Sequence, residues 1–466
     1  MQTQIDNLNR RLKILIIYKS VEYPLRKTIE EHLYSFKRYT DAECYYIKLD
    51  TGFQYLRQTN KPIPTYLTKI DFDIIIFHYG FLATRFVDKN YMDIAVNQAM
   101  PFMNSKAIKV IIPQDEWLHT NALNDFINRF NIDVIFTVAP KTEWKKIYDQ
   151  INHDKVKFYP VLTGYVDDHA IKKIETFVRT IKKTIDIGYR ASNQPQWMGR
   201  HGYLKSQIAG IFRNASKKYN LKTDISIDPK DIFLKEKWYK FLARCKYMIG
   251  VEGGATVLDK SGEIWKKGSA YVKERPNASF EEIEEACFPG LDGQLQLIAI
   301  SPRHLECCMS RTCQVLVEGT YNGILKPNIH YLEVKADFSN LDNVLNIIKE
   351  DSIREEITDN AYRDIILSEK YSYRSFSNFV IEKSIQHLNG TYLYRNTKNN
   401  LPLLYYNHVL DWFLWKMTSY EFYKAQLVYW AALGLKFLGL KEPVKKVYLC
   451  MKKIFFYSSF NITIKN

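Results

Sequence analysis

The chain has 466 residues, carries a formal net charge of +15, and is 46% hydrophobic and 25% charged. That length calls for two to three domains, and that composition belongs to a folded globular chain, which excludes a single core and excludes disorder. The basic excess suits polyanionic partners such as anionic lipid or phosphorylated substrates; without zinc-finger spacing, a basic heptad region or an RNA-binding aromatic motif, nucleic acid is set aside.

Short apolar runs alternate with helical patterns from the start. Lys13–Tyr18 (KILIIY) reads as a buried strand, and Pro24 opens a helix through about Arg38, since Pro suits the first helical turn. The runs at 43–50, 72–80, 107–115, 132–138 and 156–162 are β-rich, and most are separated by helix-length segments. Buried runs joined by helices predict a parallel sheet covered on both faces. Residues 1–184 form one such unit.

The pattern restarts at 185–190 (IDIGYR) and continues through 224–227, 247–254, 312–319 and 330–335, with helices at Tyr203–Lys218 and Pro302–Met309. The expected fold is α/β, with two Rossmann-like doubly wound domains facing across a cleft. The second spans 185–350, closing helices fill 351–390, and a helical extension fills 391–466. Ligands of such sheets bind beyond the carboxyl ends of the strands. The last segment is rich in Trp, Tyr, Phe and Leu, and residues 421–466 carry eight Lys against two Glu. Its apolar stretch Ala425–Leu440 contains Lys436 and two glycines and is too short to span a bilayer. It suits either a basic amphipathic helix at a membrane surface or a helical cap on the first domain.

The seven cysteines are odd in number and irregularly spaced, which predicts reduced thiols in a cytosolic compartment. Cys307, Cys308 and Cys313 do not match zinc spacing. The N-terminus lacks the apolar stretch of a signal peptide, and no run of about 18 apolar residues exists.

The most informative segment runs from Ser301 to Gly319. Ser301 followed by Pro302 starts a helix, with Ser as cap and Pro in the first turn. A helix N-terminus offers free N–H groups and the positive end of the dipole, a ready diphosphate site. Arg303 adds a charged fork in the same turn, and Glu306 lies one turn in, where a carboxylate can accept two ribose hydroxyls. The plainer reading is a capped helix with solvated charges.

This segment resembles the donor-binding region of GT-B glycosyltransferases, especially the group-1-like transferases associated with bacterial surface polysaccharide. There a helix carrying Glu, then small residues, then a strand ending in an acidic or small turn, holds the nucleotide. Glu306-Cys307-Cys308-Met309, Gln314–Val317 and Glu318-Gly319 follow that layout. The resemblance extends to 186–190, 250–255, 323–327 and 330–331, and covers roughly residues 185–380. It implies that Glu306 binds the ribose and that Arg190 and Lys205 neutralise the donor diphosphate. It also implies sugar transfer without a metal ion or other cofactor, from a nucleotide-diphosphate sugar to a lipid-linked or growing glycan acceptor. Ile298 stands where many retaining members carry a second Glu, which leaves retention or inversion open.

Gly253 and Gly254 follow a strand and permit close backbone approach to a ligand, with Glu252 then facing the cleft; alternatively they make only a tight turn. Asp259, on the next loop, has no evident role. In the first unit the strand ends carry His78, Asp115 and Glu116. Inverting transfer needs a base for the acceptor hydroxyl, and Asp115 ranks first, then Glu116, then His78. Their structural alternatives are a helix cap for Asp115 and a buried strand-end imidazole for His78. Asp71-Phe72-Asp73 looks like a metal-binding D-x-D but begins a strand rather than ending one, so it is set aside.

The expected protein is thus a cytosolic transferase whose segment 391–466 either lies at an anionic membrane surface or caps the first domain. The alternatives are a nucleotide-sugar epimerase of the same fold and a non-catalytic scaffold.

Overall fold

The structure, a computed structural model, describes residues 11–19, 27–49, 63, 67–87 and 89–387. The chain divides into a large body, Met1–Val21 with Leu25–Arg395, and a small one, Glu22–Pro24 with Asn396–Asn466. Both sheets belong to the first. The helix start at Pro24 and the tail 391–466 lie outside the described residues.

The first sheet contains β1 (Lys13–Tyr18), β2 (Glu43–Lys48), β3 (Ile74–His78), β4 (Ile108–Ile112), β5 (Val134–Thr137) and β6 (Lys157–Pro160). All are parallel, in the order β2-β1-β3-β4-β5-β6. Strands β1, β3, β4 and β5 are buried along their whole length. Their Ile- and Val-rich runs lack alternation because both faces are covered. The edge strand β6 is half-exposed, and its Lys157 and Pro160 discourage further pairing.

The second unit contains β7 (Ile185–Arg190), β8 (Thr223–Ser226), β9 (Cys245–Gly250), β10 (Gly253–Ala255), β11 (Leu297–Ala299), β12 (Cys313–Val317) and β13 (Leu332–Val334). Its parallel sheet runs β13-β12-β9-β7-β8, the same winding as the first. Each sheet therefore reverses direction beside its first strand, between β1 and β3 and between β7 and β9. Such switch points place a crevice at the carboxyl ends of the strands. Strands β10 and β11 make a separate antiparallel ribbon that the sequence patterns did not reveal. Ribbon strands of three residues carry too little periodicity to read.

The chain crosses between the sheets twice. Helix Asp168–Thr180 leaves the first sheet and sends Ala170 and Ile174 into the core of the second. Helix Asp351–Ala361 continues through a π turn at Tyr362–Ile366, and helix Tyr373–Ile385 returns to pack on helix Lys27–Tyr39. The two crossings are bonded side by side: Val166 N–H donates to Tyr371 O at 2.7 Å and Tyr373 N–H to Val166 O at 2.9 Å.

Cys44, Cys245, Cys287, Cys307, Cys308 and Cys313 are free and buried. Among the described residues no helix is long and apolar enough to cross a membrane. Asp73 accepts the Lys13 N–H at 2.8 Å, so the second carboxylate of the D-x-D stretch holds the start of β1.

Candidate active site

Helix Pro302–Met309 begins as its sequence requires, with Ser301 extended at the cap and Pro302 in the first turn. His304 takes the position usually held by Glu in a capping box: the Ser301 N–H donates to His304 Nδ1 at 3.0 Å. With Nδ1 accepting, the neutral ring carries its proton on Nε2, which is buried without a hydrogen-bond partner. Burial, then Arg303 and Lys205, pushes His304 down to about 3, so the ring is neutral in the physiological range.

One turn in, Glu306 is buried and its Oε2 accepts Trp238 Nε1–H at 2.8 Å. Burial raises its pKa, and the Trp238 bond, Arg303 and Lys27 oppose that rise. Glu306 lines a pocket of about 230 Å³ together with Ser301, Arg303, Phe233, Trp238 and, from the first unit, Lys27. Ile232 and Leu234, on its rim, are 37% and 38% exposed. Large apolar side chains left open beside a charged pocket are a mark of ligand binding.

Two cations meet at this helix start. The Arg303 guanidinium lies over Tyr189 at 5.3 Å and Trp238 at 5.8 Å, and its buried Nε has no hydrogen-bond partner. Lys205 has no hydrogen-bond or ion-pair partner among the described residues, and its Nζ would lie 3.4 Å from a Cβ added at Gly253. Burial first, then Arg303, pushes Lys205 down to about 8, while Asp115 opposes the shift. Neighbouring cations without a bound carboxylate raise the local potential and prepare the place for an anion.

Arg190 lines the pocket but does not fit the diphosphate-neutralising role expected of it. Its Nε donates to Asp231 O, one terminal nitrogen to Tyr189 O and Asp224 O, and the other to Asp224 Oδ1 at 2.6 Å. Four of its five N–H donors are thus taken up in tying β7 to β8 and to the loop that walls the pocket. Gly254, at φ +124°, approaches its own structure: an added Cβ would sit 1.7 Å from Leu297 O across the ribbon. Ile298 pairs with Gly254 in that ribbon. Glu252 does not face the cleft. It is buried and accepts the Thr320 and Tyr321 N–H groups at 3.0 and 2.6 Å. Gly319 is the residue that leaves room for it, since an added Cβ would meet Glu252 Oε2 at 2.3 Å. Glu318 is exposed and accepts the Ala336 N–H at 3.4 Å; neither Glu318 nor Gly319 lines the pocket.

Across the cleft the three candidate bases separate. His78 is buried, its Nδ1 accepts Gly80 N–H at 3.0 Å, and its Nε2 meets His32 Nδ1 at 3.0 Å. With both nitrogens engaged inside the first unit, it has no face for an acceptor. Glu116 is fully buried and accepts the Thr137 and Tyr148 hydroxyls and the Val138 N–H, so it too is internal. Burial raises it from 4.5 to about 7. A carboxyl raised in the folded state contributes stability that is full below about pH 4.5 and lost as pH rises through about 7. Chemical denaturation from pH 4.5 to 8 is expected to show this decline, and Glu116→Gln to flatten it.

Asp115 is exposed, in the left-handed region at φ 52°, and its charge reaches Lys205 on the opposite unit. Such backbone positions persist only where their surroundings hold them. Here the holder is Arg85, which the sequence did not single out. Its buried guanidinium donates to the carbonyls of Leu82, Gln114, Asp115 and Leu118 at 2.8–3.2 Å. Trp238 and Lys27 were likewise missed, because contacts between residues 68 and 279 positions from Glu306 leave no local pattern.

The two facing doubly wound units make this a GT-B fold, the architecture of a large class of glycosyltransferases. No family model and no curated protein matches the sequence. Solved structures do resemble it. HepE from Anabaena, in complex with UDP and glucose, is similar over 81% of this chain and 100% of its own, at 10% identity and a TM-score of 0.43. Sucrose-phosphate synthase from Thermosynechococcus elongatus is similar over 81% of this chain and 99% of its own, at 9% identity and 0.44. TarM is similar over 69% of this chain and 56% of its own, at 14% identity and 0.39.

Proposed function

We propose that this chain is a glycosyltransferase that moves a sugar from a nucleotide-diphosphate donor to a glycan or lipid-linked acceptor without a metal ion or other cofactor. The observation that carries this reading is the pairing of Lys205 and Arg303 with the N-terminus of helix Pro302–Met309, one turn from a buried carboxylate, at a strand-end crevice. The donor diphosphate rests on the two cations and the helix start, and the ribose hydroxyls on Glu306. Asp115, facing from the other unit, takes the acceptor proton as the acceptor oxygen bonds to the anomeric carbon. The bond from that carbon to the phosphate oxygen breaks, and the leaving charge passes to Lys205, Arg303 and the helix dipole. Direct displacement of this kind inverts the configuration at the anomeric carbon. The basic segment 391–466 suits an acceptor held at an anionic inner-leaflet surface.

Incubation with a panel of nucleotide sugars, reading released nucleotide and product identity, tests the activity. Sugar transferred to an acceptor supports it; an altered sugar still joined to free nucleotide defines an epimerase instead. UDP, the nucleotide bound in HepE, is the first binding probe. Glu306→Ala is expected to weaken calorimetric UDP binding by about tenfold or more, the value of lost hydrogen bonds to a charged acceptor. Unchanged affinity would place the ribose elsewhere.

A further inference from the structure

Asp259, left without a role by the sequence, joins the Asp115 loop to an aromatic cluster. Its N–H donates to Trp117 O at 2.7 Å and its carbonyl accepts His119 N–H at 2.8 Å, forming a bridge between the two units. Its buried carboxylate accepts Gly262 N–H and Trp265 N–H, each at 2.8 Å, and so fixes the start of helix Glu263–Glu274. Trp265 lies 6.0 Å from Trp117 and 5.6 Å from Trp197, measured between ring centroids.

The cluster is built rather than incidental. Gly268 weakens the helix that carries Trp265, and the reason is steric: an added Cβ would sit 2.4 Å from the Trp197 ring. Trp117 and Trp197 are buried, and the Trp197 indole N–H has no hydrogen-bond partner. Trp265 alone of the three is open, at 40% exposure, with exposed Ser269 one turn further along the same helix face. A rigid, flat, apolar ring held open at the surface by two buried tryptophans fits a pyranose ring, which presents C–H groups on one face and hydroxyls at its edge. A membrane or a protein partner would call for a contiguous apolar patch, which a single exposed ring does not supply.

We infer that Trp265, backed by Trp117 and Trp197 and fastened by Asp259 to the Asp115 loop, is a stacking platform for a saccharide unit of the acceptor. The inference rests on the transferase reading for the word acceptor; saccharide binding itself does not depend on it. The full chain is titrated with maltotetraose, cellotetraose and chitotetraose, following tryptophan emission and calorimetry, and separately with UDP. At least one saccharide is expected to shift the emission. Trp265→Ala is expected to weaken that saccharide by about tenfold, the value of one lost ring stack, while Trp265→Phe keeps most of the affinity. Thermal melts of both variants establish that they fold. UDP binding with saccharide affinity indifferent to Trp265→Ala, or with none of the three saccharides bound, overturns the platform and leaves the transferase reading standing. Trp265-dependent saccharide binding without UDP binding sustains the platform and counts against the transferase reading.

Discussion

Asp115→Asn is expected to lower sugar transfer by about 10²–10⁴-fold, the usual contribution of a positioned general base, with UDP affinity kept. Asparagine is the informative replacement. It has nearly the shape of aspartate and tolerates the left-handed backbone at φ 52°, whereas alanine would add a conformational cost of about 1 kcal/mol. Arg85 and the Leu118–Asp259 bridge hold the loop through main-chain groups, so the substitution leaves the scaffold bonds in place. Single-turnover assays separate the chemical step from binding, and NMR of the product reports the anomeric configuration. An inverted product whose formation collapses in Asp115→Asn supports the base. Transfer at wild-type rate removes Asp115 from the mechanism, and a retained configuration replaces direct displacement with another course.

Lys205→Met is expected to weaken UDP binding by about 10–100-fold, as befits a lost charge-assisted contact to phosphate. The accompanying pH dependence is more specific. Burial and Arg303 hold Lys205 near 8, so the free protein loses this positive charge as pH rises through about 8. UDP affinity is expected to fall over that range in the wild type and to stay level in Lys205→Met. Binding near pH 8 pulls the proton back onto the amine, so the calorimetric heat depends on the buffer's ionisation enthalpy in the wild type alone. A wild-type affinity level from pH 7 to 9 would place the diphosphate away from Lys205.

The corrected residues share a cause. Arg190, Glu116 and His78 each stand at the carboxyl end of a strand, where a functional side chain belongs, and each has the right chemistry. Their donors and acceptors are consumed by partners distant in the chain: Asp224 and Asp231 for Arg190, Thr137 and Tyr148 for Glu116, His32 for His78. Residue type reveals capacity to bond; it does not reveal whether that capacity is already filled. Asp115 and Lys205 differ only in remaining open, a property of packing.

What the sequence determined by itself was the architecture and the helix start. Uninterrupted Ile- and Val-rich runs separated by helix-length segments specify covered parallel sheets, and Ser301-Pro302 specifies where helix Pro302–Met309 begins, because both depend on contacts within a few residues. Tertiary structure alone decided which charges face the cleft, that His304 completes the cap, and that Asp259 fastens three tryptophans beside Asp115. Those outcomes depend on distances between segments far apart in the chain, and only the folded core sets such distances.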